Sequence, residues 1–144
     1  MLRLFPRASL AICLTMILLS AYPLATYGQT WQQTQRLTSN FGSSTLPCVA
    51  ASGHGLIFLV WQDNTDLTNY EIFFMRSIDS GGSWSILQRL TSNTGDSKDP
   101  SVSSYGWNVY VAWTDDTFGN DEIFFKRSID GGVTWGSTQR LTYN

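Results

Sequence analysis

The sequence predicts an all-β protein made of β-propeller blades, and three observations lead to this prediction. The segment Gln-Arg-Leu-Thr at residues 35–38 recurs at residues 88–91 and 139–142, so a unit of roughly 50 residues repeats. Within each unit, short runs of β-branched and aromatic residues are separated by turn residues such as Gly, Asp and Asn. Apolar residues occupy both faces of the middle runs, as expected where each sheet packs between two neighbours. A β-sandwich is the all-β alternative, but it does not require so close a repeat.

Each unit is predicted to contain four strands. In the second unit, Pro100 opens the first strand, because a sheet tolerates proline at a strand's start or edge. The second strand places Val109, Val111 and Trp113 on one face and Tyr110 on the other, since side chains alternate along a strand. The strands are predicted at 47–52, 56–62, 71–77 and 86–91 in the first unit and at 100–105, 108–114, 122–128 and 138–142 in the second.

Residues 33–40 are predicted to form one extra strand, equivalent to the fourth strand of a unit. It precedes one blade at residues 46–93 and a second at residues 97–144. Propellers close with about four to eight blades, so the chain is predicted to be a partial propeller. Both end blades would then expose apolar faces, and we expect such faces to drive self-association.

The first 28 residues have the layout of a secretory signal peptide. Arg3 and Arg7 precede an apolar run at residues 8–19, and small and polar residues follow up to Gly28, after which cleavage is expected. The apolar run is shorter than the ~20 residues that a membrane-spanning helix needs. We therefore expect residues 29–144 to be secreted or held at the cell surface, with no membrane span after cleavage.

Charge and cysteine content argue against several classes of function. Without Arg3 and Arg7 the chain carries seven Lys and Arg against 11 Asp and Glu, and no basic cluster suited to nucleic acid is present. Cys48 is the one cysteine after the signal peptide, so no intrachain disulfide is expected. We interpret Cys48 as a small buried apolar residue and His54 as a turn residue; a catalytic Cys48–His54 pair is the alternative.

Two octapeptides lie where the third strand of each unit turns into the fourth. Residues 77–84 read Ser-Ile-Asp-Ser-Gly-Gly-Ser-Trp and residues 128–135 read Ser-Ile-Asp-Gly-Gly-Val-Thr-Trp, and we call them box 1 and box 2. Both match the pattern Ser-x-Asp-x-Gly-x-Thr-Trp, box 1 with serine for threonine. Over roughly residues 31–144, the chain therefore resembles the bacterial neuraminidase (BNR), or Asp-box, repeats of sialidase-like β-propellers.

The chemistry of the boxes favours a structural role. A turn carboxylate accepts hydrogen bonds from N–H groups, glycine allows a positive φ, and tryptophan anchors the turn while offering an N–H to a carbonyl. A catalytic carboxylate is needed once per site, whereas a stabilising turn is needed once per blade. The residues predicted to have this role are Ser77, Asp79, Gly81, Ser83 and Trp84, and their counterparts Ser128, Asp130, Gly132, Thr134 and Trp135.

The resemblance implies the residues that a complete sialidase-like enzyme would use. They are a tyrosine nucleophile with a glutamate partner, an aspartate acid/base and three arginines that bind the sugar carboxylate. In this chain the arginines occupy repeated positions, so we predict solvated or strand-pairing roles for them. The glutamates that open the third strands repeat as well, so no catalytic residue is predicted. These arginines and glutamates are Arg36, Arg76, Arg89, Arg127, Arg140, Glu71 and Glu122.

Acidic loops connect the second and third strands. Asp63 and Asp66 in the first unit, and Asp115 and Asp116 in the second, offer oxygen ligands for calcium, although neither loop matches the EF-hand pattern. Acidic turns on a solvated rim are the simpler interpretation, and no other cofactor is predicted. Trp107, present only in the second unit, either stacks on a sugar ring or covers a neighbouring blade.

Two functions of different classes are compatible with these residues. The first is a secreted, non-catalytic propeller segment that binds a carbohydrate or a surface protein. The second is a fragment of a sialidase-type glycoside hydrolase that is active only when further blades are present. Further repeats carrying unique arginines, a tyrosine and a glutamate would favour the enzyme.

Overall fold

The computed structural model describes residues 33–143, so the predicted signal peptide at residues 1–28 lies outside the described residues. The described residues form eight β-strands, all within the compact unit Arg36–Asn144. In chain order they are β1 (Ser44–Ser52), β2 (Leu56–Asp63), β3 (Glu71–Ser77), β4 (Gln88–Arg89), β5 (Ser97–Tyr105), β6 (Asn108–Asp115), β7 (Glu122–Ser128) and β8 (Gln139–Arg140).

The strands form two antiparallel sheets of four strands each. Their orders are β1-β2-β3-β4 and β5-β6-β7-β8, and we call these sheets blade 1 and blade 2. Within each blade, strands that are consecutive in the chain are neighbours in the sheet. The predicted all-β class and the two four-stranded units are confirmed. In the part of the chain that the structure describes, no helix is long and apolar enough to span a membrane.

Equivalent residues pair across the middle strands of both blades. Because side chains alternate along a strand, a slip of one residue would turn every buried side chain outward, so this shared register places the same chemistry at the same point of each sheet. The pairs are Trp61 with Phe73 and Asp63 with Glu71 in blade 1, and Trp113 with Phe124 and Asp115 with Glu122 in blade 2.

The hydrophobic core lies between the two blades. Alternate residues of the middle strands form it, and burial of each such side chain contributes roughly 1.5–3 kcal/mol. On the blade 1 side, four of its members have no exposed surface, namely Phe58, Val60, Ile72 and Phe74. On the blade 2 side, the core contains Val109, Val111, Trp113 and Phe124.

The opposite face of blade 2 is covered much less. It carries Tyr110, Ala112, Ile123 and Phe125, which occupy the positions of the four fully buried residues of blade 1. Tyr110 is nevertheless 37% exposed and Ile123 38% exposed. We call this surface the open face of blade 2. Among the described residues, the middle strands of this blade are therefore fully covered on one face only.

Both first strands begin earlier than predicted. Pro47 and Pro100 lie inside β1 and β5, at the point where the pairing register with the next strand shifts. Proline cannot donate a hydrogen bond to a neighbouring strand, and a bulge removes that requirement. Leu46 and Asp99, which precede the prolines, have positive φ angles of 51° and 52°.

The fourth strands are shorter than predicted, with two residues each in β4 and β8. The extra strand predicted at residues 33–40 is wrong, because no strand is assigned there. A fourth strand forms by pairing with a third, as β4 does with Phe73 and Phe74. No described strand precedes residues 33–40 to serve as that partner.

The packing predicts unequal effects of truncation at equivalent positions. Replacing Phe58, which has no exposed surface, with alanine should lower the free energy of unfolding by about 3–5 kcal/mol because a cavity opens between the blades. Replacing its counterpart Tyr110 should lower it by less than about half as much, since Tyr110 is already partly in water. Urea unfolding of both variants, at a dilution where the chain is monomeric, measures the difference. Equal losses would contradict the assignment of the core.

Candidate functional site

Box 1 closes the turn between β3 and β4 around the carboxylate of Asp79. Ser77 Oγ donates to Asp79 Oδ1 at 2.7 Å. Ser83 donates through its backbone N to Oδ1 at 2.8 Å and through Oγ to Oδ2 at 2.6 Å. Gly81 N donates to Ser77 Oγ at 2.8 Å. The carboxylate therefore ties the two ends of the turn together.

Box 2 repeats this arrangement with a threonine in place of the second serine. Ser128 Oγ donates to Asp130 Oδ1 at 2.6 Å, and Thr134 donates through its backbone N at 2.9 Å and through Oγ1 to Oδ2 at 2.5 Å. Val133 N adds a donor at 3.0 Å. The two hydroxyl-bearing residues of each box thus donate hydrogen bonds to its aspartate.

These donors lower the pKa of both box carboxyl groups. At Asp79 the hydroxyl and then the N–H of Ser83, followed by the hydroxyl of Ser77, lower the pKa to about 2. At Asp130 the Ser128 hydroxyl and then the Thr134 donors hold the pKa well below its usual range. Both groups are ionised at neutral pH, so neither has a proton to give as a general acid.

Box 2 also contacts the neighbouring blade. The Trp135 ring meets Phe74 edge-on at 5.0 Å between centroids, and its indole N–H donates to Gln88 Oε1 at 3.0 Å. Gln88 Nε2 donates back to the carbonyl oxygen of Gly132 at 2.8 Å. Arg76 donates to two backbone oxygens of box 2 at 3.2 and 2.9 Å. Phe74, Arg76 and Gln88 form a recess for box 2, which we call the socket of blade 1.

Buried carboxylates lie at the end of each second strand. Asp63 in blade 1 is 2% exposed and Asp115 in blade 2 is 1% exposed. Asp63 accepts hydrogen bonds from Asn40 at 2.8 Å and Ser44 at 2.5 Å, among others. Burial raises the pKa of Asp63, but four side-chain hydrogen bonds, the largest from Ser44, outweigh it and leave the pKa below its usual value. At Asp115 burial likewise raises the pKa, but hydrogen bonds, the largest from Thr117, leave it below its usual value.

The repeated Arg-Leu-Thr-Ser-Asn segment connects the carboxylates of successive blades. Asp115 accepts hydrogen bonds from Asn93 Nδ2 at 2.6 Å and from Ser97 Oγ at 2.7 Å. Asn93 lies on the connection from blade 1, and its backbone N donates to Glu71 Oε1 at 2.9 Å. Arg89 binds the same oxygen at 2.9 Å. The segment therefore joins the glutamate of blade 1 to the aspartate of blade 2.

The predicted roles of the repeated arginines need correction. Glu71 and Glu122 are 1% and 0% exposed, and Arg89 and Arg140 each pair with the glutamate of their own blade at 2.9 Å. These two arginines neutralise buried charges, whereas Arg36 is exposed and donates to a carbonyl oxygen two residues further on. Each glutamate recurs together with an arginine at the same spacing in both units, and this pattern in the sequence could have predicted the two ion pairs.

The aspartates named as a weak calcium site are dispersed over the two blades. Asp63 and Asp115 are occupied by the donors described above, and Asp66 is paired with Arg89. Asp116 accepts a backbone N–H at 2.7 Å. Within residues 33–143, no three His, Cys, Asp or Glu side chains are grouped so as to hold a metal ion. Calcium binding stays an untested prediction.

Three other residues singled out from the sequence lie apart from one another. Cys48 packs half-buried against the core from β1, and His54 lies in the turn after that strand with a φ of 64°. About 13 Å of extended chain separates Cys48 from Ser52, so Cys48 and His54 form no reactive pair. Trp107 lies beside box 2, where its carbonyl oxygen accepts from Gly131 N at 2.7 Å, and it is 51% exposed.

A cleft of about 450 Å³ lies between the fourth strand of blade 1 and the middle strands of blade 2. The Phe118 ring is 61% exposed and stacks on Phe124 at 6.3 Å. Lys126 Nζ donates to the carbonyl oxygen of Leu90 at 2.9 Å, and burial lowers the pKa of this lysine. An aromatic ring, cations and hydroxyl groups around such a space are typical of small-molecule sites. The lining includes Arg89, Thr91, Asn93, Trp113, Phe118 and Lys126.

The comparisons with known proteins bear on the fold. No protein-family model matches the chain, and no curated protein matches it. Among solved structures, the chain is similar to the "Hadza microbial sialidase Hz136", with a TM-score of 0.59 and 15% sequence identity. The chain has a sialidase-like all-β fold. The match covers 67% of this chain and 25% of that sialidase chain, so it spans a quarter of that protein's length.

The low pKa of Asp79 predicts a loss of stability in acid. An unfolded aspartate titrates near ~3.9. Since the folded pKa is about 2, the box 1 hydrogen bonds stabilise the fold fully above about pH 4 and cease to do so as the pH falls through about 2. Asp79→Asn should therefore flatten the fall in melting temperature over this range. The exposed carboxylate variant Asp121→Asn is the control and should keep the wild-type profile. If the melting temperature of Asp79→Asn fell with pH as it does in the wild type, the stabilising role given to the box 1 hydrogen bonds would be refuted.

The docking of box 2 predicts a difference between two glycines of similar conformation. Gly132 and Gly81 have φ angles of 80° and 90°, so alanine strains both backbones alike. A Cβ on Gly132 would lie 2.5 Å from Phe74 Cε1, whereas one on Gly81 would lie 3.7 Å from Ile57 Cδ1. In urea unfolding of the monomer, Gly132→Ala should cost about 1–3 kcal/mol more than Gly81→Ala. Equal costs would show that stability does not depend on this contact.

Proposed function

We propose that this chain is a secreted, sialidase-like BNR-repeat propeller segment that acts as a non-catalytic binding module for a carbohydrate. The ligand site is the cleft between the two blades. The Phe118 ring, which is 61% exposed, and nearby cations and hydroxyl groups suit a sugar, which offers C–H groups to the ring and oxygens to the polar donors.

The observation that carries this proposal is that two residues of the cleft lining, Lys126 and Phe118, depart from the repeat. Lys126 stands where blade 1 has Met75. Phe118 lies in the loop in which the two units differ in length, and Leu67 lies in the equivalent loop of blade 1. Residues that serve the fold recur in both blades, whereas a single binding site needs its residues once.

The repeated carboxylates already have hydrogen-bond or ion-pair partners within the fold, and this supports a non-catalytic role. A glycosidase usually needs two carboxyl groups placed on either side of the scissile bond. Glu71 and Glu122 are buried against arginines, and Asp79 and Asp130 are held by their turns. Each of these carboxylates already has partners in the folded chain.

A fragment of a sialidase-type glycoside hydrolase is the second candidate. The similarity to a quarter of a microbial sialidase chain favours it, since the remaining length of such an enzyme holds further structure. In that case the activity would require blades beyond the two described here.

Titration calorimetry with a panel of neutral and sialylated oligosaccharides tests the binding role. We expect saturable binding of at least one sugar class, and Phe118→Ala should weaken it about three- to tenfold through the loss of a stacking surface. Leu67→Ala is the matched control, because Leu67 is 69% exposed in the equivalent loop but does not line the cleft.

Two outcomes would contradict the proposal. No binding across the panel, or equal affinity of the wild type and Phe118→Ala, would rule out a carbohydrate site in this cleft. Release of fluorophore from a fluorogenic α-sialoside by the purified chain would favour the hydrolase instead.

A further inference from the structure

We propose that Lys126 is a nucleophilic amine that forms a reversible imine with the carbonyl carbon of a small aldehyde bound in the cleft. The cleft is the site assigned above to a carbohydrate, so the proposal rests on the proposed function for its natural ligand, the open-chain aldehyde of a reducing sugar. The reactivity of the amine is a separate property of its surroundings and can be measured without an oligosaccharide.

Lys126 extends from blade 2 toward blade 1. It lies on β7 opposite Val111 of β6, a core residue with no exposed surface, so its stem leaves the sheet on the face that packs against blade 1. Its Nζ donates to the carbonyl oxygen of Leu90, next to β4, at 2.9 Å. The residue is half-buried and lines the cleft of about 450 Å³. Ligand pockets usually have volumes of about 300–1,000 Å³, so this cleft can admit a small aldehyde.

The two lysines of the chain have different electrostatic surroundings. Lys98 lies near three carboxylates, those of Asp96, Asp116 and Asp121, at 3.8, 3.7 and 3.9 Å. Lys126 forms no ion pair with any residue in the range 33–143, and its contact in blade 1 is a neutral carbonyl oxygen. Lys98 therefore serves as an internal reference for an amine that acidic neighbours hold in its charged form.

The other charged side chains of the cleft are already engaged. Arg89 is paired with Asp66 and with Glu71. Asp115 is 1% exposed, and its two oxygens accept hydrogen bonds from other donors. Among the described residues of the lining, Lys126 is thus the charged group that is not neutralised by a partner of opposite charge.

Burial without such a partner favours the neutral amine. It lowers the pKa of Lys126, because the ammonium loses hydration on leaving bulk water. Desolvated lysines are the nucleophiles of imine-forming proteins for this reason. The hydrogen bond to Leu90 is compatible with the reaction, since a neutral amine donates one of its two N–H groups and keeps its lone pair.

The reaction needs no component besides the amine and the aldehyde. The lone pair of Lys126 Nζ forms a bond to the carbonyl carbon, and the π electrons of the C=O bond move to the oxygen. A proton passes from the nitrogen to that oxygen and gives a carbinolamine. Loss of the hydroxyl group and of the remaining N–H proton as one water molecule then leaves the C=N bond. Nothing is oxidised or reduced, and added water reverses the step.

Reductive trapping in the wild-type chain tests the proposal. The folded protein is incubated near neutral pH with D-glyceraldehyde and sodium cyanoborohydride, which reduces an imine to a stable secondary amine, and peptide mass spectrometry locates each adduct. We expect the initial rate at Lys126 to exceed that at Lys98 by at least about threefold, since the neutral fraction of an amine rises about tenfold for each unit by which its pKa is lowered. In urea, where the fold is lost, the two rates should converge.

Three variants provide the controls. Lys126→Met introduces the residue that blade 1 has at this position and should remove the major adduct, whereas Lys98→Met should leave it unchanged. Lys126→Arg keeps the positive charge without a nucleophilic amine and should also lose the adduct, which separates imine formation from ionic binding. Circular dichroism checks the fold of each variant, and the comparison of the two lysines within the wild type decides the matter if one of them does not fold.

Equal rates at the two lysines of the folded chain, a faster rate at Lys98, or no adduct at Lys126 would overturn the proposal. Calorimetry with methyl glycosides, which have no free carbonyl group, tests the carbohydrate site independently. Binding of a methyl glycoside without an adduct at Lys126 would overturn the imine and leave the carbohydrate site intact. Selective trapping at Lys126 without binding of any sugar would support the reactive amine and contradict a sugar as its ligand.

Discussion

Packing of blade 1 on blade 2 is the interaction on which the rest of this structure depends. Each sheet is apolar on both faces, and a sheet becomes stable by burying such a face against another element. Phe58 and Phe74 lose all of their exposed surface at this contact, as do Val109 and Val111 opposite them. The stability of each blade is therefore a property of the pair, and the cleft lies between elements that this contact holds in place.

Polar contacts at the edge of the interface determine how the blades are aligned. Apolar burial has no preferred direction, whereas Asn93 reaches from Glu71 to Asp115 with defined hydrogen bonds. Buried charges often return little net stability even when paired, and removing one partner is costly. We infer that the contacts of Asn93 and Arg89 specify the alignment of the blades more than they strengthen it.

The sequence was informative where structure repeats and uninformative where the contacts cross between repeats. Alternation and turn residues located the strands, and the repeated octapeptides located both boxes. A repeat shows that Gln88 and Gln139 are equivalent, but not that Gln88 binds the box of the other blade. The bulges at Pro47 and Pro100 were missed because a proline near a strand end is compatible with either a start or a bulge. Residues 33–40 match the sequence of a fourth strand but have no described partner strand. A strand forms only by pairing with another, so its presence could not be predicted from the local sequence alone.

Departures from the repeat carry more information about function than the repeat itself. Lys126 replaces the methionine found at the equivalent position of blade 1, and burial lowers its pKa, so the charged form is less stable there than in water. Packing alone does not require this cation, because Met75 fills the same position of the other sheet without a charge. Its hydrogen bond to the carbonyl oxygen of Leu90 offsets part of the cost of burial and holds it at the cleft. The position of this charged donor beside the exposed ring of Phe118 is the feature of the cleft on which the proposed carbohydrate site rests.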